Sequence, residues 1–491
     1  MSTFFCAPNG KLSYKRTILT GFGFMATSIA LAIYDPYITK ILNALLTSSD
    51  TVTQWSTKLN AAFPVLARLA EAQGENVALE GGGITLVPLF IGIIMTFDNI
   101  FGVIFQPTFG KLSDRCHSKL GKRRPFIMFG APISALLFAI IPLVAIKGSL
   151  PATMLFIILF VFIMSLWRAP VVALMPDLTP PELRSQGNAV INLMGGLGGL
   201  IGMVAGTIVT VIMSAILGKG NYEEIDTFPY VFLIGSVVML IGMAVVRLTV
   251  KEESSIIVTA ENNKAADEKA RQKAEKDAKK AEKAARKAEK LSGPERKSLI
   301  FMLMGLFFLF CGTNAITTFF ALFAAEILGK TTAQATVMMA IFAVCSALAA
   351  IPAGAVGRKI GRKKTILLGL GVFMCVFLLY VATRSMALIW VALILGGAAN
   401  MFITVNTLPL VLEIGGIDKV GTFTGYYYTA TFSAQIASPI LYGIVRMLSG
   451  TYMSLFVYSP IAFVISILCI LVVKHGEAIP EDVIKAAKEA D

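Results

Sequence analysis

Charge is scarce in this chain. Asp, Glu, Lys and Arg make up 15% of its 491 residues, against 56% apolar residues. A soluble domain carries roughly 25% charged residues, because its surface must face water. So little charge on so long a chain means that much of the surface must face lipid. Histidine is scarcer still. His117 and His475 are the two present, and both fall outside the apolar runs, which excludes a histidine proton relay within a membrane. Cys6, Cys116, Cys311, Cys345, Cys375 and Cys469 include no C-x-x-C pair and none in an expected external connection. Neither a disulfide framework nor a zinc site is indicated.

Other chemistry is missing too. The nearest approach to a phosphate loop is Gly329-Lys-Thr331, but the glycine required five positions earlier is Ala324, so ATP-driven pumping is not expected. No Ser/His/Asp, metal-ligand or paired-carboxylate constellation marks an enzyme. No cofactor and no metal are expected. The net charge of +13 comes mostly from connections between apolar runs, a topology signal rather than a nucleic-acid surface.

What is present is a series of runs, each near the 20 apolar residues that a bilayer core demands. They fall near 17–38, 86–110, 126–147, 153–175, 187–217 and 228–248, then near 299–323, 334–356, 365–383, 386–412, 421–447 and 452–473. The expected fold is therefore an all-α membrane protein of twelve transmembrane helices in two six-helix pseudo-repeats. Residues 17–248 form one bundle and 299–473 the other. The connection with Lys111, Arg115, Lys119, Lys122, Arg123 and Arg124 should be cytoplasmic, as should that with Arg358, Lys359, Arg362, Lys363 and Lys364; an even number of spans then places both termini (1–16 and 474–491) in the cytoplasm. The first run is too long for a signal-peptide core, and no small-residue cleavage site follows it, so the amino terminus is expected to be retained.

The two basic connections repeat one another. Gly110-Lys-Leu-Ser-Asp-Arg115 leads to Leu120-Gly-Lys-Arg-Arg124, and Gly354-Ala-Val-Gly-Arg-Lys359 leads to Ile360-Gly-Arg-Lys-Lys364. Each follows the second run of its half, as expected of internally duplicated transporters. The charged connection 249–298 is rich in Ala, Lys and Glu, with opposite charges four apart and no apolar stripe. It is expected to be a solvated helical tether. Within the external connection 40–85, Trp55, Leu59, Phe63, Leu66 and Leu69 recur at helical spacing before Gly81-Gly-Gly83, so a short amphipathic helix is expected there.

Ionisable residues inside the runs carry most information, since each costs about 2.5–3.5 kcal/mol at mid-bilayer on the insertion scale. Asp98 lies about twelve residues into its run, about 18 Å at 1.5 Å per residue, and Arg168 is expected roughly level with it. Asp98 is the best proton or cation site, switched by the approach of Arg168. The alternative is a static Asp98–Arg168 pair holding two helices together. Asp35, just before Pro36, is placed in the outer part of the first span, where the helix can break, and a hydrated rim carboxylate is the competing explanation. Asn99, Asn188, Asn192, Asn314, Thr317, Asn400, Asn406 and Gln435 offer hydrogen bonds to a hydroxylated solute, and Trp167, Trp390 and Tyr426-Tyr-Tyr428 offer stacking faces. For any single one of them, bonding or packing between helices outweighs solute contact. Gly195, Gly196, Gly198, Gly199, Gly202 and Gly206 make small-xxx-small spacings for close packing, and Pro352, Pro409 and Pro439 are expected kinks.

Gly110-Lys-Leu-Ser-Asp-Arg115 with Gly121-Lys-Arg-Arg-Pro125 resembles the loop signature of the major facilitator superfamily. Gln106-Pro107, Asp114-Arg115, Gly121 to Ile127, Arg168-Ala169, Met175-Pro-Asp177, Arg184-Ser185 with Asn188 and Asn192, and Gly421 to Tyr428 with Gln435 and Pro439 resemble the glycoside–pentoside–hexuronide:cation symporters, in particular the sucrose–proton symporters of plants and their animal relatives. The resemblance implies proton-coupled symport of a sugar or glycoside across the cell membrane. It implies a cytoplasmic gate of Gly110, Asp114, Arg115, Gly121, Arg123, Arg124, Arg358, Gly361 and Arg362, with Arg168 in coupling or substrate binding. Asn99, Asn192, Asn314, Thr317, Asn406, Tyr427 and Gln435 are the candidate substrate residues. Gln106 replaces the aspartate of melibiose-type members, which favours protons over sodium. A monomer in the lipid bilayer is expected, with a small solute and the proton as its partners. An exporter or antiporter of another solute, and a non-transporting sensor, are the alternatives.

Overall fold

The computed structural model describes residues 12–73, 83–116, 118, 120–179, 183–218, 221–250, 293–415 and 420–474. The tether expected over 249–298 lies largely outside the described residues, as do both ends of the chain, with Cys6, His117, His475, Gly81 and Gly82. Fourteen α-helices are described: α1 (Tyr14–Thr47), α2 (Asp50–Ala62), α3 (Pro64–Gln73), α4 (Val87–Asp114), α5 (Arg124–Ile146), α6 (Leu150–Leu178), α7 (Arg184–Leu217), α8 (Glu224–Thr249), α9 (Gly293–Leu328), α10 (Thr332–Ile360), α11 (Arg362–Thr383), α12 (Met386–Gly415), α13 (Val420–Ser449) and α14 (Leu455–Val472).

Among the described residues, eleven helices are long and apolar enough to cross a bilayer. The run expected at 421–447 forms α13, which at 30 residues is as long as α12 and longer than α14. Its Thr, Tyr, Ser and Gln content lowers its apolarity. Aliphatic side chains make up much of the exposed helix surface, with Leu248, Leu348 and Ile351 among the most exposed.

One expectation about proline needs correction. The first helix does not break at Pro36; α1 continues to Thr47. Pro352, Pro409 and Pro439, the expected kinks, sit inside the continuous helices α10, α12 and α13. In a membrane bundle the backbone groups freed by proline are re-satisfied locally, so the helix is not forced to end. The connection over 40–85 holds two helices, α2 and α3, where one was expected. The side chain of Asn60 on α2 is pinned to Ile84 in both directions (Nδ2 to O, 3.1 Å; N to Oδ1, 2.8 Å), and Leu86 N donates to Ser56 Oγ at 3.1 Å. This ties α2 to the start of α4.

The helices pack in two sets. In the first, α1 lies against α7 and α8, and α5 and α4 against α6. In the second, α12 lies against α10 and α11, and α9 against α13 and α14. Glycine determines the closest approach. A Cβ on Gly198 would stand 2.4 Å from Met25 O, and one on Gly202 2.9 Å from Ile29 O, so the glycine row of α7 is where the backbone of α1 lies flush. The sets meet along α4–α13, α7–α10 and α1–α9.

The repeated basic connections adopt one geometry twice. Gly121 (φ +102°) precedes α5 and Gly361 (φ +98°) precedes α11, a backbone state that a side chain would strain.

Candidate functional site

Asp35 on α1, Asp98 on α4 and Arg168 on α6 are each half-buried within their helices. Because α1 runs on to Thr47, Asp35 lies twelve residues inside that end, about 18 Å. Asp98 lies eleven residues inside Val87, the start of the antiparallel α4. Counted from those helix ends, the two carboxylates stand at similar positions, and Asp35 lies well inside α1 rather than at its end. Arg168 bears electrostatically on both, and Asp98 on Asp35. Among the described residues, no ion pair or hydrogen bond joins the three, so in this conformation Asp98 and Arg168 are not a locked structural pair. Beside them the Tyr34 hydroxyl is buried without a partner, in the field of both acids. Sequence patterning alone did not single it out, since a tyrosine in an apolar run looks like packing.

A cavity of about 200 Å³ opens where the two sets of helices meet. Asp35 lines it from α1, Met203 from α7, Thr317 and Phe320 from α9, and Thr336 and Met339 from α10. One turn before Thr317, the amide nitrogen of Asn314 is buried with no partner, while Thr317 Oγ1 donates to Asn314 O at 3.0 Å. Thr336 and Met203 were not anticipated, because nothing in a threonine or methionine of an apolar run indicates which way it faces.

The other candidates are placed away from the lining of this cavity. Asn99 Nδ2 donates across the sets to Gln435 O at 3.4 Å, and Thr96 Oγ1 to Ile436 O at 3.3 Å; these bonds join α4 to α13. Asn406 is buried and spends its amide on Ala353 O (3.2 Å) and Phe402 O (2.9 Å), bracing α12 against α10. The buried Tyr427 hydroxyl meets Thr407 Oγ1 at 3.3 Å. Asn192 is exposed on α7 and donates to Asn188 O of its own helix at 2.9 Å. Trp167 is buried, with Nε1 donating to Ser134 Oγ at 2.9 Å, a contact between α5 and α6.

At the basic ends the gate candidates form two separate clusters. Arg123, 7% exposed, donates from Nε to Asp177 Oδ2 at 2.8 Å and from Nη1 to Gly110 O at 3.1 Å, with further short bonds to Ser113 and Asp114. It thereby ties α4, α5 and α6 together. Burial disfavours its charge, but the bonds to Asp177 and Asp114 outweigh burial and raise its pKa. Arg124 Nη2 donates to Arg247 O at 2.6 Å. In the second set Arg362 pairs with Glu413 of α12. Arg115 and Arg358 are exposed at the ends of α4 and α10. Asp177 and Glu413 were missed as latch partners. Each stands at the basic end of its helix, where a lone carboxylate facing a basic connection is the usable signal. Arg123→Ala should cost about 1–2 kcal/mol, discounted because Asp114 and Asp177 are 59% and 45% exposed and regain water when released. Thermal unfolding in detergent, against the parent protein, measures it.

A further buried arginine, Arg446 of α13, donates to Glu326 Oε2 of α9 at 2.7 Å and lies over the Tyr452 ring at 4.3 Å. This cluster joins helices within one set.

Two helical sets, basic hairpins of one geometry and buried charges beside an inter-set cavity define a major facilitator transporter, and the comparisons agree. Residues 83–414 match the family described as MFS/sugar transport protein, and the chain belongs to that family. Sucrose transport protein SUC3 of Arabidopsis thaliana is 32% identical over 141 residues, 24% of this chain and 23% of that protein. Membrane-associated transporter protein of Homo sapiens is 28% identical over 152 residues, 27% and 28% of the two chains. The chain thus matches about a quarter of the length of these relatives. Among solved structures, a D-xylose–proton symporter superposes with a TM-score of 0.61 at 15% identity, covering 94% of this chain and 96% of that one. The nucleoside transporter NupG superposes at 0.58 and 12% identity, covering 93% and 100%. At such identities the likeness is one of fold.

Proposed function

We propose that this protein is a proton-coupled symporter of a sugar or glycoside, working by alternating access in the cell membrane. In this reading α13 is the twelfth span, residues 17–248 and 299–473 are the two rocking bundles, and both termini are cytoplasmic. The observation that carries it is the trio Asp35, Asp98 and Arg168, charged groups without ion-pair partners among the described residues, held at mid-helix beside a cavity between the bundles. Such charges are costly in a membrane and are retained where they move an ion or a solute. Protonation of a carboxylate removes its attraction to Arg168, and that change is available to bias the two arrangements of the bundles. Asp35, Thr317 and Asn314 would meet solute hydroxyls, with Phe320, Met203 and Met339 against its apolar face. The family match and the sucrose-transporter relative support a sugar.

The test is uptake of labelled disaccharides and glycosides into proteoliposomes under an imposed pH gradient. Uptake should rise when the outside is acidic and should alkalinise the external medium. Solute uptake without proton movement, across a broad glycoside panel, would count against symport.

A further inference from the structure

We infer that Glu224 is a gating residue, a carboxylate of the first bundle that holds the second bundle closed at the end opposite the basic connections. Three acids stand at the start of α8, Glu223 as its N-cap and Glu224 and Asp226 in its first turn. Glu223 and Asp226 close a capping box on their own helix, with Glu223 N donating to Asp226 Oδ2 at 3.0 Å, and both are exposed. Glu224 behaves differently. It is half-buried, and its Oε1 accepts the backbone N–H of Thr332, the first residue of α10, 108 positions along the chain.

The N-terminus of α10 is arranged around this bond. Thr331 and Gln334 form their own capping box, with N–O distances of 3.3 and 3.2 Å. That leaves the Thr332 N–H to be satisfied from outside the helix, since the first four N–H groups have no intrahelical acceptor. The Glu224 carboxylate thus lies at the positive ends of two helices, α8 and α10, one from each bundle, an arrangement favourable to its negative charge. The Thr332 hydroxyl beside it is fully buried and has no partner.

The surrounding contacts also cross between bundles. Thr207 Oγ1 of α7 donates to Ala333 O at 3.3 Å. A Cβ on Gly206 would stand 3.1 Å from the Ala333 methyl and would overlap the Tyr37 hydroxyl of α1. One turn further along α10, Ala335, Thr336 and Met339 form the wall of the Asp35 cavity. Glu224 therefore holds the first turn of the helix that closes the cavity on this side. A carboxylate bond spanning the bundles has to break each time that side opens, so it sets how often opening occurs. This role rests on the alternating-access reading, although the latch can be tested without any solute.

The experiment is thiol labelling of the full-length protein in vesicles. A membrane-impermeant maleimide is added on the face bearing the 40–85 connection, and the reporter is Met339→Cys in the cavity wall, corrected for the native cysteines. Glu224→Ala should raise the labelling rate about tenfold, the equilibrium change expected at the lower end for loss of a charged hydrogen bond. Glu224→Gln, which keeps an acceptor oxygen but loses the charge, should give a smaller rise. A rate in Glu224→Ala no faster than in Met339→Cys alone would overturn the inference. Should Glu224→Ala fail to fold, Glu224→Gln combined with Thr207→Ala decides on the same criterion, an increase supporting the latch and an unchanged rate refuting it. Failure to transport any glycoside would sink the proposed substrate and leave this result standing.

Discussion

Asp98→Asn should lose uphill accumulation while keeping solute exchange. With one proton per solute, a gradient of one pH unit sustains about tenfold accumulation in the parent protein. An asparagine at this site carries no proton, so accumulation should fall to the external concentration. Exchange needs only the loaded bundles to rock, which a neutral side chain of the same shape permits. Asp35→Asn should behave differently, because Asp35 lines the cavity and Asp98 does not. It should raise the solute concentration needed for half-maximal exchange and lower accumulation with it. The measurement is accumulation ratio and exchange rate in proteoliposomes for both variants. Full accumulation in Asp98→Asn would remove that carboxylate from coupling and leave Asp35 as the proton carrier.

The second large effect is steric. On Gly92 of α4 a Cβ would stand 2.1 Å from Pro439 O and 2.7 Å from its carbonyl carbon, both backbone atoms of α13. Helix backbones cannot give way as a side-chain tip can, so Gly92→Ala must separate α4 from α13. Overpacking of this kind typically costs 1–3 kcal/mol. Here the strain falls on a contact between bundles, with Pro88 O of α4 similarly close to Gly443. The expected result is a protein that inserts normally but disfavours closure at that end, transports slowly, and labels faster at Met339→Cys. Gly371→Ala on α11 is the control. Nothing lies within 4 Å of its Cβ, so a neutral effect or a gain of about 0.4–1 kcal/mol is expected. Normal transport in Gly92→Ala would mean that the α4–α13 contact does not tighten during the cycle.

Much of the architecture was legible because lipid imposes a one-dimensional code. A span must be about 20 apolar residues, so the helical segments can be read along the chain, and the gathering of basic residues in two connections exposes the repeat. The boundaries were less legible. Proline suggested a break at residue 36, but local hydrogen-bond adjustment carries α1 another eleven residues. Reading a helix end at Pro36 hid the likeness of Asp35 to Asp98 in distance from the ends of α1 and α4. Polar residues posed the opposite problem. Asn406 and Tyr427 look like solute contacts in one dimension, yet the structure spends them on neighbouring helices. Asp177, Glu413 and Glu224 look like ordinary helix-end acids, yet each bonds to a group far away in sequence.

By itself the sequence determined that this is a membrane protein of repeated helices with charges it can ill afford to bury, because hydropathy and charge act residue by residue. Only the tertiary structure decided which of those charges lines the cavity, which polar groups are consumed in packing and which acid spans the two bundles. Those are properties of pairs of surfaces, and the 3.6-residue turn of a helix does not announce which neighbour each face will meet.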